Sequence, residues 1–243
     1  MRFGIINDIH SNVIALKLIM DRLDRMGCDR IICCGDIIGI GPWPEETVRC
    51  MMQIPDLIAV RGNHDKYLFD GATEDMGQSE VEHHRWQHRK LSEESVSFLR
   101  SLPYRTDFDC EGLRITVMHW PMDGNGDFIR HARCHSEKDL EDLFAGVDSD
   151  IILFAHDHRR IICQGKRLYA DVGSLGCPGS DRNIARAGIL TIENGKAEIE
   201  PIDIVYDAAS VVGTIDSLGC PDADFIKGYF FGVNGKGEAS AIM

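Results

Sequence analysis

Short apolar runs, each closed by a polar turn and followed by a stretch of helical spacing, recur through the first third of this chain. That is how βαβ units look in sequence, and it predicts an α/β fold. Strands are expected at Phe3–Ile6, Arg30–Cys34 and Leu57–Val60, with helices over about Asn12–Met26 and Glu45–Met52. The segment Ser79–Arg100 is polar with a helical period, and Ser92 is placed to cap a second piece of it. Further strands are expected at Leu113–Met118, Ile151–Phe154, Ile161–Cys163, Arg167–Ala170, Gly188–Ile192 and Ala197–Ile202, the last two joined by the hairpin signal Asn194-Gly195. Asp207–Leu218 and Asp222–Phe231 read as closing helices, and Gly232–Met243 as a loose tail. With no internal repeat and no long linker, residues 1–243 are expected to form a single domain.

Composition removes several classes. A chain of 243 residues that is 44% hydrophobic and 27% charged is neither fibrous nor disordered. Its 39 acidic against 26 basic residues give a net charge of −13, a field that repels polyanions, so duplex nucleic acid is not an expected partner. A small phosphorylated substrate would need local positive charge, for which metal ions are the natural source. The nine cysteines lack a Cys-x-x-Cys spacing, and Cys33-Cys34 lie side by side in a strand, one to each face. They read as reduced core thiols. The first apolar stretch is too short for a secretory leader, and no run of about 18 apolar residues occurs. A cytoplasmic location without membrane contact is therefore expected.

The chemistry lies at strand ends. Asp8 and His10 follow the first strand, Asp36 the second, Asn63 and His64 the third, His119 the strand ending at Met118, and His156 and His158 the strand ending at Phe154. Ligands of open α/β sheets bind off the carboxyl ends of strands. Two aspartates, an asparagine and five histidines at five such ends are hard to explain as independent turns, and they suit a hard or borderline divalent ion such as manganese, zinc or iron. In Asp8-x-His10 and His156-x-His158, an extended backbone would send both side chains of a pair to one side.

Asp8-x-His10, Gly35-Asp36-x-x-Gly39, Gly62-Asn63-His64-Asp65, the isolated His119 and His156-x-His158, in that order, resemble the calcineurin-like metallophosphoesterases from residue 2 to about 180. Gly39-x-Gly41-Pro42-x-Pro44-Glu45, the segment Gly173–Pro178 and Tyr206-Asp207 are similar to a small bacterial and archaeal phosphodiesterase branch. The resemblance implies a two-sheet β-sandwich flanked by helices, four layers in the order αββα. It also implies two divalent metal ions, manganese first, with iron, zinc, nickel or magnesium as alternatives. Asp8, His10, Asp36 and His158 would hold one ion and Asp36, Asn63, His119 and His156 the other, with Asp36 bridging and a bridging hydroxide attacking the phosphate. His64 would stabilise or protonate the leaving oxygen, and Asp65 would orient its imidazole.

Some positions depart from the family pattern. Asp157 stands between the two histidines where threonine is usual, and is expected to orient a ligand histidine or to face water. Trp120 replaces a glycine and is expected to narrow the pocket. Asn7 replaces a serine, and Asp171-Val172 an Asn-Pro. His83, His84 and His88 read as an incidental surface cluster. Among Arg61, Arg159, Arg160, Arg182 and Arg186, the phosphate contacts are assigned to Arg159 and Arg160, which directly follow His158. Phosphoprotein phosphatases carry an arginine where this chain has Gly39-Ile40-Gly41, which favours a nucleotide-like phosphodiester or polyphosphate as substrate. The alternatives are a phosphomonoesterase or protein phosphatase, and a non-catalytic scaffold on the same fold.

Overall fold

The structure is a computed structural model that describes the whole chain except residues 72, 74, 75, 132, 135, 178, 180, 235–237 and 240–243. Pro178 and part of the expected tail thus lie outside the described residues. In chain order the elements are β1 (Arg2–Ile6), α1 (Val13–Arg25), β2 (Arg30–Cys33), α2 (Pro44–Met52), β3 (Ile58–Ala59), α3 (Asn63–Asp70), α4 (Gln78–His88) and α5 (Glu93–Ser101). They continue with β4 (Arg105–Cys110), β5 (Leu113–Met118), α6 (Glu137–Leu143), β6 (Ile151–Leu153), β7 (Arg160–Gln164), β8 (Leu168–Val172), β9 (Ile184–Glu193) and β10 (Lys196–Val205). Helices α7 (Ala208–Ser217) and α8 (Ala223–Phe231) follow, and Val233–Asn234 (β11) pairs with Glu238–Ala239 (β12) in a short ribbon where a loose tail is expected.

Two five-stranded mixed sheets result, ordered β10-β9-β1-β2-β3 and β4-β5-β6-β8-β7. Strands β1, β2 and β3 run parallel, as do β5, β6 and β8, while the antiparallel pairings lie toward the edges. The β9–β10 hairpin turns at Asn194 and Gly195 with φ of 52° and 70°, the paired positive values of the turn that matches strand twist.

Period-two alternation divides the core. Phe3, Ile5, Ile32, Ile115, Val117, Ile151, Leu153 and Leu190 meet between the sheets. Their neighbours Ile6, Cys33 and Ile189 face outward, under Leu16 and Ile19 of α1, Val48 of α2, Leu99 of α5 and Ile215 of α7. On the far side Ile152, Phe154 and Tyr169 pack against Leu140 of α6, Phe144 and Trp120. Strands buried on both faces need helices on both sides, which gives the four αββα layers. Cys33 and Cys34 point to different cores as their adjacency requires. All nine cysteines are free; Cys28, Cys50, Cys110 and Cys163 are only partly buried and pack against the margins of the cores.

Candidate metal centre

The carboxyl ends of β1, β2 and β3 in one sheet and of β5 and β6 in the other converge at one edge of the sandwich, and the residues just beyond them form a buried polar cluster. Pairing outlasts the strands: the amides of Asp8, His10 and Ser11 donate to the carbonyls of Gly35, Asp36 and Ile37 at 3.0–3.1 Å. A third segment bridges the sheets, with Leu175 and Gly176 amides donating to Asn7 and Asp8 carbonyls and the Ser174 hydroxyl donating to the same Asp8 carbonyl.

The backbone at this edge is not extended. Asp8, His10, Asp36, His156 and His158 have φ of 47°, 49°, 54°, 85° and 59°. The left-handed region costs a side-chain-bearing residue about 1–2 kcal/mol, and its clustering on five polar residues of one cluster is strain of the kind that functional sites store. It also corrects the expectation that each i, i+2 pair projects together from extended backbone. His158 Nε2 approaches His10 Nε2 at 3.0 Å and Asp8 Oδ1 at 3.9 Å. His156 instead puts Nδ1 2.9 Å from Asn63 Oδ1 and 3.2 Å from His119 Nε2. The two histidines of one motif thus serve two adjacent points.

Between those points lies Asp36, whose Oδ2 is 3.8 Å from His10 Nε2 and 3.4 Å from His119 Nε2. Its Oδ1 accepts the His64 amide at 2.9 Å. Gly62 makes this close approach feasible, because a Cβ there would lie 2.1 Å from Asp36 Oδ1 and 2.4 Å from the Asp36 amide nitrogen. Gly39, with φ of 117°, likewise leaves room for the rings of His10 and His64, whose Nδ1 atoms would be 3.0 and 2.9 Å from a Cβ.

The donor set fits divalent cations. His10, His119 and His158 each direct Nδ1 at a backbone carbonyl, of Ile38, Cys34 and Cys177, at 3.3, 2.9 and 2.8 Å. A carbonyl only accepts, so those Nδ1 atoms carry the proton and the Nε2 lone pairs face inward. Burial first, and then neighbouring imidazoles, hold His10 and His119 well below the usual histidine range, while burial brings His156 and His158 down to about 4. Inward lone pairs about 3 Å apart repel unless a cation lies between them. Both oxygens of the fully buried Asp8 lack a hydrogen-bond partner among the described residues. Burial, then the carboxylate of Asp171, pushes Asp8 up; burial, then Asp65 and Asp8, pushes Asp36 up. Such a centre asks for positive charge.

Asp65 does not orient His64 as the sequence suggests. Its carboxylate accepts the amides of Ile37, Ile38 and Gly62 at 3.0–3.1 Å, and so ties the loop after β2 to the start of α3. The His64 ring packs edgewise on His10 and against Tyr67 and His84, with Nδ1 unpartnered among the described residues. Asp157 does not orient a histidine of the cluster: its side chain, 6% exposed at the cavity wall, pairs with Arg159 and with His131 Nε2. Trp120 is buried beneath His156, centroids 5.2 Å apart, so it supports the cluster rather than narrowing the opening. His83 and His84 are also buried, which corrects the reading of them as a surface cluster.

Asp36, Asn63, His64, His156 and His158 line a cavity of about 830 Å³. Arg159 and Arg160 line it too, each held by a carboxylate, Arg159 by Asp157 and Arg160 by Asp203 at 2.5 Å. Sequence reasoning missed Gln87 of α4, whose side-chain amide donates to the carbonyls of Gly39 and Gly41 while its oxygen accepts from Ser11 Oγ and the Gly39 amide. Its only signal was a polar residue among the histidines of α4.

A two-sheet sandwich with this cluster at its edge is the arrangement of metallophosphoesterases, and the chain belongs to the calcineurin-like phosphoesterase superfamily, whose domain matches residues 1–195. It is 28% identical over 229 residues to an uncharacterized protein of Methanocaldococcus jannaschii, covering 84% of this chain and 87% of that one. It is similar in fold to a metallophosphoesterase from Sphaerobacter thermophilus (TM-score 0.76, 23% identity, 96% and 99% of the two chains). A hypothetical protein from Pyrococcus horikoshii OT3 shares the fold equally well (TM-score 0.79, 16% identity, 96% and 99%).

Proposed function

We propose that this chain is a phosphodiesterase that works with two divalent cations, manganese foremost. Asp8, His10 and His158 would hold one, Asn63, His119 and His156 the other, with Asp36 shared between them. The observation that carries the reading is the set of histidines, His10 and His119 buried and His158 partly so, whose outer nitrogens are fixed on backbone carbonyls, turning inner lone pairs and the carboxylates of Asp8 and Asp36 toward one centre. Cations bound there neutralise phosphate charge and acidify water, which raises the supply of nucleophile near neutral pH. Asp36 fixes the spacing of the two points. His64 lines the cavity beside them and supplies an N–H toward the leaving oxygen; because burial and His10 hold the ring neutral, that help is a hydrogen bond from neutral imidazole.

Charge favours a diester over a monoester. Where the protein phosphatases have a phosphate-gripping arginine, this cavity presents Ile40, and the flanking Gly39 has no space for a side chain beside His10 and His64. A monoanionic diester depends less on that extra cation than a dianionic monoester does. Purified protein loaded with Mn²⁺ and assayed on bis-nitrophenyl phosphate and on nitrophenyl phosphate should prefer the diester, and chelation should abolish turnover. Undiminished turnover after verified metal removal would rule the mechanism out, and metal-loaded protein inert on both esters would favour the scaffold.

A further inference from the structure

The cavity has a second wall that the phosphate chemistry does not use. Helix α8 closes its side with Phe225, Ile226, Tyr229 and Phe230. Phe225 and Tyr229, one helical turn apart, stack face to face at 5.3 Å with 11° between ring planes, yet remain 54% and 62% exposed. Phe230 braces them edge-on, its centroid 6.3 Å from Phe225 and 4.9 Å from Tyr229. It also stands 6.1 Å from the ring of His158. Two aromatic side chains left this open, parallel to each other and lining the same cavity as the candidate metal centre, form an incomplete stack.

We infer that Phe225 and Tyr229 are a stacking platform for a planar aromatic group of the substrate, a nucleobase, attached to the phosphate that the polar cluster receives. The inference rests on the phosphoesterase reading and extends it to the organic part of the substrate. Two ring-to-ring steps through Phe230 connect the platform to His158, so one ligand can reach both. Glu80 and Asp222 line the same cavity and supply acceptors for sugar hydroxyls or exocyclic amino groups. With a net charge of −13 they also oppose a long polyanion, which favours a single nucleotide unit over a nucleic acid strand. Stacking of a base on an aromatic side chain is largely indifferent to which base it is, so the platform selects for aromaticity rather than sequence.

The test compares equilibrium binding of adenosine 5′-monophosphate and ribose 5-phosphate by calorimetry, using the full Mn²⁺-loaded chain. The two probes share the phosphate and the sugar and differ in the base. Wild type should bind the nucleotide about ten-fold or more tighter, and Phe225→Ala/Tyr229→Ala should erase that preference while leaving ribose 5-phosphate affinity unchanged. Tyr229→Phe, which keeps the ring, should retain it, and Tyr229→Ala alone should lose most of it if the double variant fails to fold. Equal binding of the two probes by wild type, or a preference that survives in the double variant, overturns the platform. A wild-type dimer that the double variant turns into a monomer, with no preference for the base, would assign the patch to a second copy of the chain and overturn it as well. Diester turnover, measured separately, tells the two readings apart: a base preference without hydrolysis sinks the phosphodiesterase and keeps the platform, and the converse does the opposite.

Discussion

His64 stands apart from the other histidines around the cluster. Its nitrogen lies within 4.8 Å of ligand atoms of His10 and Asp36, close enough for a metal to be shared among the three. Yet His10 and His158 fix their outer nitrogens on carbonyls, whereas His64 Nδ1 has no such partner among the described residues. A ligand histidine is normally held by a bond to its other nitrogen. His64→Ala should therefore retain both ions, as counted by elemental analysis, and lower kcat by roughly 10²–10⁴. The loss should be smaller for a nitrophenyl ester, whose leaving group needs little help, than for an ester that expels an alkoxide. Loss of metal along with rate would move His64 into the ligand set.

At the scale of elements, α4 shows what pattern reading finds and what it misses. Its helical period was visible, but the buried face it presents, His83, His84 and Gln87, is polar, so no apolar stripe announced the burial. Gln87, 1% exposed, clamps the loop after β2 to Ser11 just past β1. Gln87→Leu would leave two carbonyls, the Gly39 amide and the Ser11 hydroxyl to find new partners, each unsatisfied group costing about 1–3 kcal/mol. The variant should melt lower and bind Mn²⁺ more weakly, since the two loops carry His10 and Asp36; unchanged metal affinity would limit Gln87 to a structural role. The same logic explains the other gaps. Strand β4 alternates exposed and half-buried residues at a sheet edge, and its inward positions, Thr106, Phe108 and Cys110, offer too little apolar surface to stand out as a run. Helix α6 is seven residues long and buries little more than Leu140. Helix α3 begins on Asn63 itself, inside the motif, where ligand chemistry hid the start of a helix. The five strand ends and their polar residues were legible because strands buried on both faces read as unbroken apolar runs, so the first polar residue marks the edge.

Across the whole molecule, the two sheets are joined at the site edge by Asn7, whose Nδ2 donates to the Phe154 carbonyl at 3.1 Å and to Asp171 Oδ1 at 3.0 Å. Asn7 Oδ1 and Asp171 Oδ2 are both buried without partners among the described residues, as an ionised Asp171 would leave them. Burial pushes the Asp171 carboxyl up to about 7, although the Gly173 amide and Asn7 favour its charged form. A carboxyl whose folded value exceeds its unfolded value binds more protons when folded, so its contribution to stability falls as pH rises from about 4 to about 7 and stays low above that. Asparagine at position 171 would keep the Oδ1 acceptor, offer an N–H toward Asn7 and carry no charge to repel Asp8. Asp171→Asn, compared with wild type by denaturant unfolding of the metal-free chain, should therefore be more stable at pH 8 by about 1–3 kcal/mol. The gain should shrink toward pH 5, as wild-type Asp171 becomes protonated. An advantage that does not depend on pH would mean that the buried charge at Asp171 is not what strains the joint between the sheets.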